Sequence, residues 1–270
     1  MSSFELVVLD LDGTILDRSL TLDPALVTAV RRAVERGCAV TLATGRMPAA
    51  TRPYWERLGV RAPVILYNGA LVRDPGTGEN LCMTELPPGL PWEIYPIYAN
   101  APVHPLFYRD DALYCLELTH PVRTYCQEMG VTAETIPDPA SFLKAGSFIK
   151  CLFMGHPADL ATLRAELGPA TDAAGRLVLS RTDYLELLPR GVSKGEALRV
   201  VADHLAIPLA RAIAVGDQEN DLEMIRAAGL GIAMPTSPPN VRAGADRVAP
   251  SPGAGGLLAL LTEICPQYFA

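Results

Sequence analysis

Aromatic side chains are scarce, 6% of 270 residues, and histidine is scarcer still with four. His104, His120, His156 and His204 lack metal-ligand spacing, so a histidine-rich metal centre is excluded and the four imidazoles read as structural. No two of the six cysteines (Cys38, Cys82, Cys115, Cys126, Cys151, Cys265) stand in a CxxC pair. That argues against a zinc site or a disulfide framework and for buried, reduced thiols. Basic charge is not in excess either: 23 Lys plus Arg face 30 Asp plus Glu, a formal charge of −7 with no basic patch in any segment. Nucleic acid is therefore not an expected partner. Long apolar runs are missing. The start, Met1 to Glu5, has no basic leader region and the run that follows is broken by Asp10 and Asp12. Neither a signal peptide nor a membrane span is read there, and the expectation is a cytoplasmic protein with no membrane partner, monomeric by default.

What is present is a globular composition, 49% hydrophobic and 20% charged, on a chain long enough for one large domain or two ordinary ones. Glu5 to Leu11 is a short β-branched apolar run, the mark of a strand buried on both faces. Asp23-Pro24 supplies an N-cap and a first-turn proline, followed by Leu26, Val27, Val30 and Val34 at helical spacing and closed by Gly37. Strand Ala39 to Ala43, helix Pro48 to Leu58 and strand Val64 to Tyr67 continue the alternation of a doubly wound, Rossmann-like parallel-sheet α/β fold. Leu71 to Val72 and Leu81 to Met83 read as a hairpin across Asp74 to Gly78.

From about Glu85 the texture changes. Leu86 to Pro91 is a proline-dense connector, and paired strands follow: Val103 to Tyr108, Leu113 to Glu117, Phe148 to Met154, Leu177 to Ser180 and Tyr184 to Leu188. Helices are expected near Val122 to Met129 and Ala158 to Leu167, which makes an α+β sheet. After Pro189-Arg190-Gly191 the first style returns: helix Lys194 to Leu205, strand Ala212 to Val215, helix Leu222 to Ala228, strand Leu230 to Ala233. The expected organisation is a catalytic core from residues 1–84 and 191–270, split by an inserted cap of residues 85–190.

Four segments carry chemistry. Asp10-Leu11-Asp12-Gly13-Thr14 stands where the first strand ends, and strand C-termini are where open α/β sheets build sites. Two crowded carboxylates need a cation to relieve them, and Mg²⁺ suits oxygen ligands and a phosphate-bearing substrate; a turn with Asp as cap and Gly supplying the dihedral is the plainer alternative. Gly216-Asp217-Gln218-Glu219-Asn220-Asp221 sets a second acidic cluster at a strand end. Asp217 would complete a metal site with Asp10, and Asp221 or Asn220 would orient ligands or merely cap the next helix. Thr44-Gly45-Arg46 offers a hydroxyl, an open backbone and an opening helix, a cradle for phosphate, or else an ordinary cap. Lys194 lies at a helix start, where an ammonium opposes the dipole, so a phosphate or carboxylate cluster explains it better than helix stability. Asn68-Gly69-Ala70 reads as a turn that can place Asn68, like Arg46, beside substrate.

In this order and at these positions, Asp10-x-Asp12-Gly13-Thr14, Thr44-Gly45-Arg46, Lys194 and Gly216-Asp217-x-x-Asn220-Asp221 resemble the haloacid dehalogenase superfamily. The size and place of the insertion, and Val192-Ser193-Lys194-Gly195-Glu196-Ala197-Leu198, are similar to its Cof-type subgroup. The resemblance implies a Mg²⁺-dependent phosphatase acting on a small phosphorylated metabolite, sugar phosphates being the favoured class. Asp10 would be the nucleophile that forms an aspartyl phosphate, and Asp12 the general acid and base. The carboxylates of Asp10 and Asp217 and the backbone carbonyl of Asp12 would bind Mg²⁺, with Asp221 behind them. Thr44, Lys194, Asn220 and the amides of Leu11 and Gly45 would hold phosphoryl oxygens. A phosphotransferase or mutase would use the same aspartyl phosphate, and a receiver-like phospho-switch is the alternative from another class. The cap would close over the core on hinges near Leu86 to Pro91 and Leu188 to Gly191, with Tyr98, Phe107, Tyr108, Arg109, His120, Arg123 and Arg181 as candidates to reach the leaving group. One segment departs from the family pattern: Pro235 to Asn240 replaces a Gly-Asn-Ala stretch, which leaves open how the acidic loop is supported.

Overall fold

The computed structural model describes residues 4–17, 19–251 and 256–270. The start at Met1 to Ser3, read above for a leader, lies outside them. The chain divides into two compact units: 1–46, 51–82 and 193–270 in one, 47–50 and 83–192 in the other.

The first unit is built on a parallel sheet whose strands run, edge to edge, Arg247–Val248, Leu230–Ala233, Ala212–Gly216, Leu6–Leu9 and Ala39–Leu42. The central strand Leu6–Leu9 is buried at every position, which is why it carries no polar alternation. Leu6 and Val8 pack with Ala197, Leu198 and Val201 of the helix Lys194–His204. The helix Pro24–Glu35 begins as its sequence dictates, with Asp23 accepting from the Ala25 amide and buries Leu26, Ala29, Val30 and Ala33. A three-stranded sheet of Val64–Leu66, Leu71–Arg73 and Asn80–Met83 continues from a parallel bridge between Ala43 and Ile65. Two C-terminal helices, Gly256–Ile264 and Pro266–Phe269, were not legible in the sequence.

The second unit is a six-stranded sheet in the order Gly175–Arg181, Tyr184–Pro189, Lys150–Gly155, Val103–Arg109, Ala112–Cys115, Ala133–Thr135. All its neighbours are antiparallel except the last pair. Phe107, Phe153, Leu185 and Leu187 form its core with Leu90, Ile94, Tyr98, Leu143, Leu160 and Leu163. The proline-dense connector is partly helical: Leu90–Glu93 and Tyr95–Tyr98 each take their proline within the first two positions, where the missing N–H costs nothing. Helix Pro139–Ala145 and strand Ala133–Thr135 also went unread, being short. Three of the aromatic candidates for leaving-group contact are corrected here. Tyr98, Phe107 and Tyr108 are fully buried: Tyr98 donates to the Pro91 carbonyl, Phe107 packs in the core and the Tyr108 hydroxyl is 2.6 Å from that of Tyr125.

All six cysteines are free, five of them buried and Cys82 half-buried. Among the described residues no helix is long and apolar enough to cross a membrane.

Candidate active site

The register of the parallel sheet sets the site. Leu9 pairs with Leu42 on one side and Val215 on the other, so the chain leaves three adjacent strands at Asp10, Thr44 and Gly216-Asp217 on the same edge. Asp10 is 5% exposed, and its amide donates to the Val215 carbonyl.

Lys194 crosses to this edge from the start of its helix. Its ammonium, 1% exposed, lies 2.7 Å from Asp10 Oδ1 and 2.6 Å from Asp221 Oδ1. The helix is brought this close by Gly69, whose φ of +99° and missing side chain let the Ser193 carbonyl occupy the space a Cβ would need, 2.2 Å away. Asp221 is fully engaged: its other oxygen accepts the amides of Asp217 and Gln218, both at 2.9 Å. It therefore shapes the loop that presents Asp217 and neutralises Lys194. Asp217 in turn accepts from the Thr14 hydroxyl at 3.3 Å and the Gln218 side-chain amide at 3.0 Å. Gly13, at φ +83°, packs so close that a Cβ would meet Asp217 Oδ2 at 2.4 Å.

Asp10, Asp217 and Asp221 are all buried, with carboxylate oxygens within 4.8 Å of one another. Burial, then the charge of Asp221, raises the Asp10 carboxyl well above its ordinary range, although Lys194 pulls it down. Burial followed by Asp221 raises Asp217 to about 6. Burial alone would lower the Lys194 ammonium, but Asp10 and Asp221 outweigh it and hold the group charged. The carboxylates of Asp10 and Asp217 face each other across the same buried cluster as Asp221, so their charges oppose one another. A single ammonium cannot balance three buried carboxylates. A hard divalent cation would, so the donor set of buried carboxylate oxygens fits Mg²⁺.

Asp12 stands apart. Its side chain, 39% exposed, is held in a two-point fork by Arg46, whose Nε lies 2.8 Å from Oδ2. Arg46, read from sequence as a substrate contact, is thus placed on Asp12. The helix expected to open at the Thr44-Gly45-Arg46 cradle begins further on. The helix starts at Pro48, beyond Thr44-Gly45-Arg46, because the Thr44 hydroxyl accepts the Arg46 amide at 3.1 Å and turns the chain first. Asn68, in a left-handed conformation at φ 57°, lies against Gly45 and accepts from the Asn220 amide at 2.8 Å. Asn220 Oδ1 is buried, with no hydrogen-bond partner among the described residues. In the departing segment, Asn240 donates to Glu219 at 3.1 Å, so it supports the loop beside Asp217 but does not touch Asp217 itself. Sequence reasoning missed Gln218 and gave Thr14 no role. Their adjacency to the two acidic motifs was the available signal.

The family profile of haloacid dehalogenase-like hydrolases matches residues 7–261. The chain belongs to that family. Within it the chain falls in the Cof-type branch and is a phosphatase, which sets aside the receiver-like switch. The HMP-PP phosphatase of Yersinia enterocolitica is 30% identical over 253 residues, 88% of this chain and 86% of that one. The 5-amino-6-(5-phospho-D-ribitylamino)uracil phosphatase of Bacillus subtilis is 26% identical, with 96% of each chain covered. A haloacid dehalogenase-like hydrolase from Bacteroides thetaiotaomicron shares the fold at a TM-score of 0.87, covering 97% of this chain and 100% of that one at 24% identity.

Proposed function

We propose that this phosphatase releases inorganic phosphate from a small phosphomonoester, with Mg²⁺ and through an aspartyl phosphate on Asp10. The observation that carries the reading is the Lys194 ammonium set between Asp10 and Asp221, at 2.7 and 2.6 Å, within a cluster of three buried carboxylates. The names of the two relatives, an HMP-PP phosphatase and a 5-amino-6-(5-phospho-D-ribitylamino)uracil phosphatase, support a small phosphorylated metabolite, and the second supports a monoester.

In this reading the carboxylates of Asp10 and Asp217 and the carbonyl of Asp12 hold Mg²⁺, which when bound offsets negative charge on carboxylates and phosphoryl oxygens. The Asp10 carboxylate attacks phosphorus; Lys194 aims it and opposes the burial that disfavours its charge, and the rest of the charge that keeps it ionised would come from the bound cation. Asp12 gives its proton to the departing ester oxygen and later takes one from the water that cleaves the acyl phosphate. Lys194, the Thr44 hydroxyl, the Asn220 amide and the amides of Leu11 and Gly45 steady the phosphoryl oxygens, since this transfer asks for position and positive charge above all. Thr14, Gln218 and Asp221 keep Asp217 in place. Asn68 holds the Asn220 amide.

The test is phosphate release from 4-nitrophenyl phosphate with and without Mg²⁺. Turnover that needs the metal and falls by about 1,000-fold or more in Asp10→Asn supports the reading. Turnover that is untouched by either change overturns it. Appearance of phosphate on an added sugar instead of free phosphate would make the enzyme a transferase.

A further inference from the structure

Tyr54 has no part in the reaction itself, yet two contacts set it behind the residue that holds Asp12. Its ring lies against the Arg46 guanidinium, with the central carbon 5.2 Å from the ring centroid. Its hydroxyl donates to the Leu20 carbonyl at 3.3 Å. Leu20 itself is in the left-handed region at φ 58°, a conformation that a branched side chain resists and that neighbouring contacts must hold. Arg46 spends its Nε and one terminal nitrogen on Asp12, and at 5% exposure it has little water to turn toward. Asp12, by contrast, is on a loop with a side chain 39% exposed, where an unheld carboxylate would sample several rotamers. The orientation of Asp12 is thus fixed by Arg46, and the plane of Arg46 is fixed from behind by Tyr54.

We propose that Tyr54 is a positioning residue for proton transfer: by covering Arg46 and anchoring on Leu20, it holds the fork that orients Asp12. The inference rests on the phosphatase reading with Asp12 as proton donor. In that step the P–O bond to Asp10 forms as the P–O bond to the leaving group breaks; the ester oxygen keeps the electron pair and takes the Asp12 proton. A 4-nitrophenolate leaves without that proton, whereas an alkoxide does not. A misplaced Asp12 therefore penalises alkyl esters more than aryl esters, which a general loss of fold or of phosphate binding would not do.

The experiment compares kcat and KM for glycerol 2-phosphate and 4-nitrophenyl phosphate in wild type, Tyr54→Phe, Tyr54→Leu and Arg52→Ala, an exposed neighbour on the same helix. Alongside it, exchange of the Arg46 Nε–H with solvent is followed by NMR in the full chain. The expected result for Tyr54→Leu is a fall in alkyl-ester kcat about 10-fold beyond the fall for the aryl ester, with KM moved by less than about 2-fold. Tyr54→Phe should fall between it and wild type, Arg52→Ala should keep the wild-type ratio, and the Nε–H should exchange faster in Tyr54→Leu. Parallel losses on both esters, a rise in KM for both, or an Arg46 Nε–H as protected in Tyr54→Leu as in wild type would overturn the inference. Wild type inert toward both esters would instead overturn the functional reading on which it stands.

Discussion

Asp217 carries the clearest consequence at the scale of single residues. Its carboxyl titrates near 6 in the folded chain, above the ordinary carboxylate range of the unfolded chain, because burial and Asp221 disfavour its charge. A raised acid binds its proton more tightly in the folded state, so its stabilising contribution is complete below the unfolded pKa and lost as pH rises through about 6. A cation that replaces the proton restores what is lost. Thermal melts with Mg²⁺ against chelator should therefore show a small gain near about pH 5 that grows to a plateau above about pH 7, worth about 1–3 kcal/mol. A gain that does not change with pH would contradict this. The residues of the site were legible to different depths. Asp10, Lys194 and Asp217 could be singled out because their charge is costly where the strand and helix pattern puts them. Arg46 was assigned to substrate because sequence does not say which way a side chain points, and Tyr54 gave no signal since nothing local marks a helix residue that faces a guanidinium.

At the scale of elements, the site depends on how closely a few backbones approach. Gly69 admits the Ser193 carbonyl where a Cβ would stand 2.2 Å away, and the helix that begins at Lys194 is placed by that contact. Gly69→Ala should cost about 2–4 kcal/mol by combining a clash with a left-handed alanine. It should also reduce turnover more than a comparably destabilising change elsewhere, because Lys194 moves with its helix; urea melts and kcat on the same samples check both. Gly13→Ala differs in kind. Its Cβ would meet the Asp217 carboxylate at 2.4 Å, so weakened Mg²⁺ affinity should exceed the effect on melting. Equal Mg²⁺ dependence in Gly13→Ala and wild type would count against Asp217 as a ligand. Elements with a capping residue and a periodic face, such as Pro24–Glu35, could be placed from sequence almost to the residue. The turns Leu90–Glu93 and Tyr95–Tyr98 could not, since their prolines read as breakers although they occupy first-turn positions.

For the whole molecule, each unit has its own sheet and core, which makes separable stability the expectation. The inserted unit buries an ion pair, Lys150 with Glu186 at 2.7 Å, with side chains 2% and 4% exposed. Removing one partner leaves an uncompensated buried charge, so Glu186→Gln should destabilise by about 3–5 kcal/mol. Hydrogen exchange in the full chain should show that loss across 83–192 while the strand Leu6–Leu9 keeps its protection; equal loss in both units would show that they unfold together. The order of motifs along the chain made the architecture legible, since alternation that breaks and resumes signals an insertion. Identity of the leaving group was not legible, because aromatic residues that read as ligand contacts turned out to fill the inserted unit's core.

The central claim is that Asp10 becomes phosphorylated. The most direct measurement is rapid acid quenching of the enzyme during turnover of a radiolabelled phosphomonoester with Mg²⁺, followed by hydroxylamine treatment and peptide mapping. The account predicts label on protein, released by hydroxylamine as an acyl phosphate must be, carried by the peptide containing Asp10 and lost in Asp10→Asn. Full turnover with no labelled protein at any quench time, or label that persists in Asp10→Asn, would contradict it.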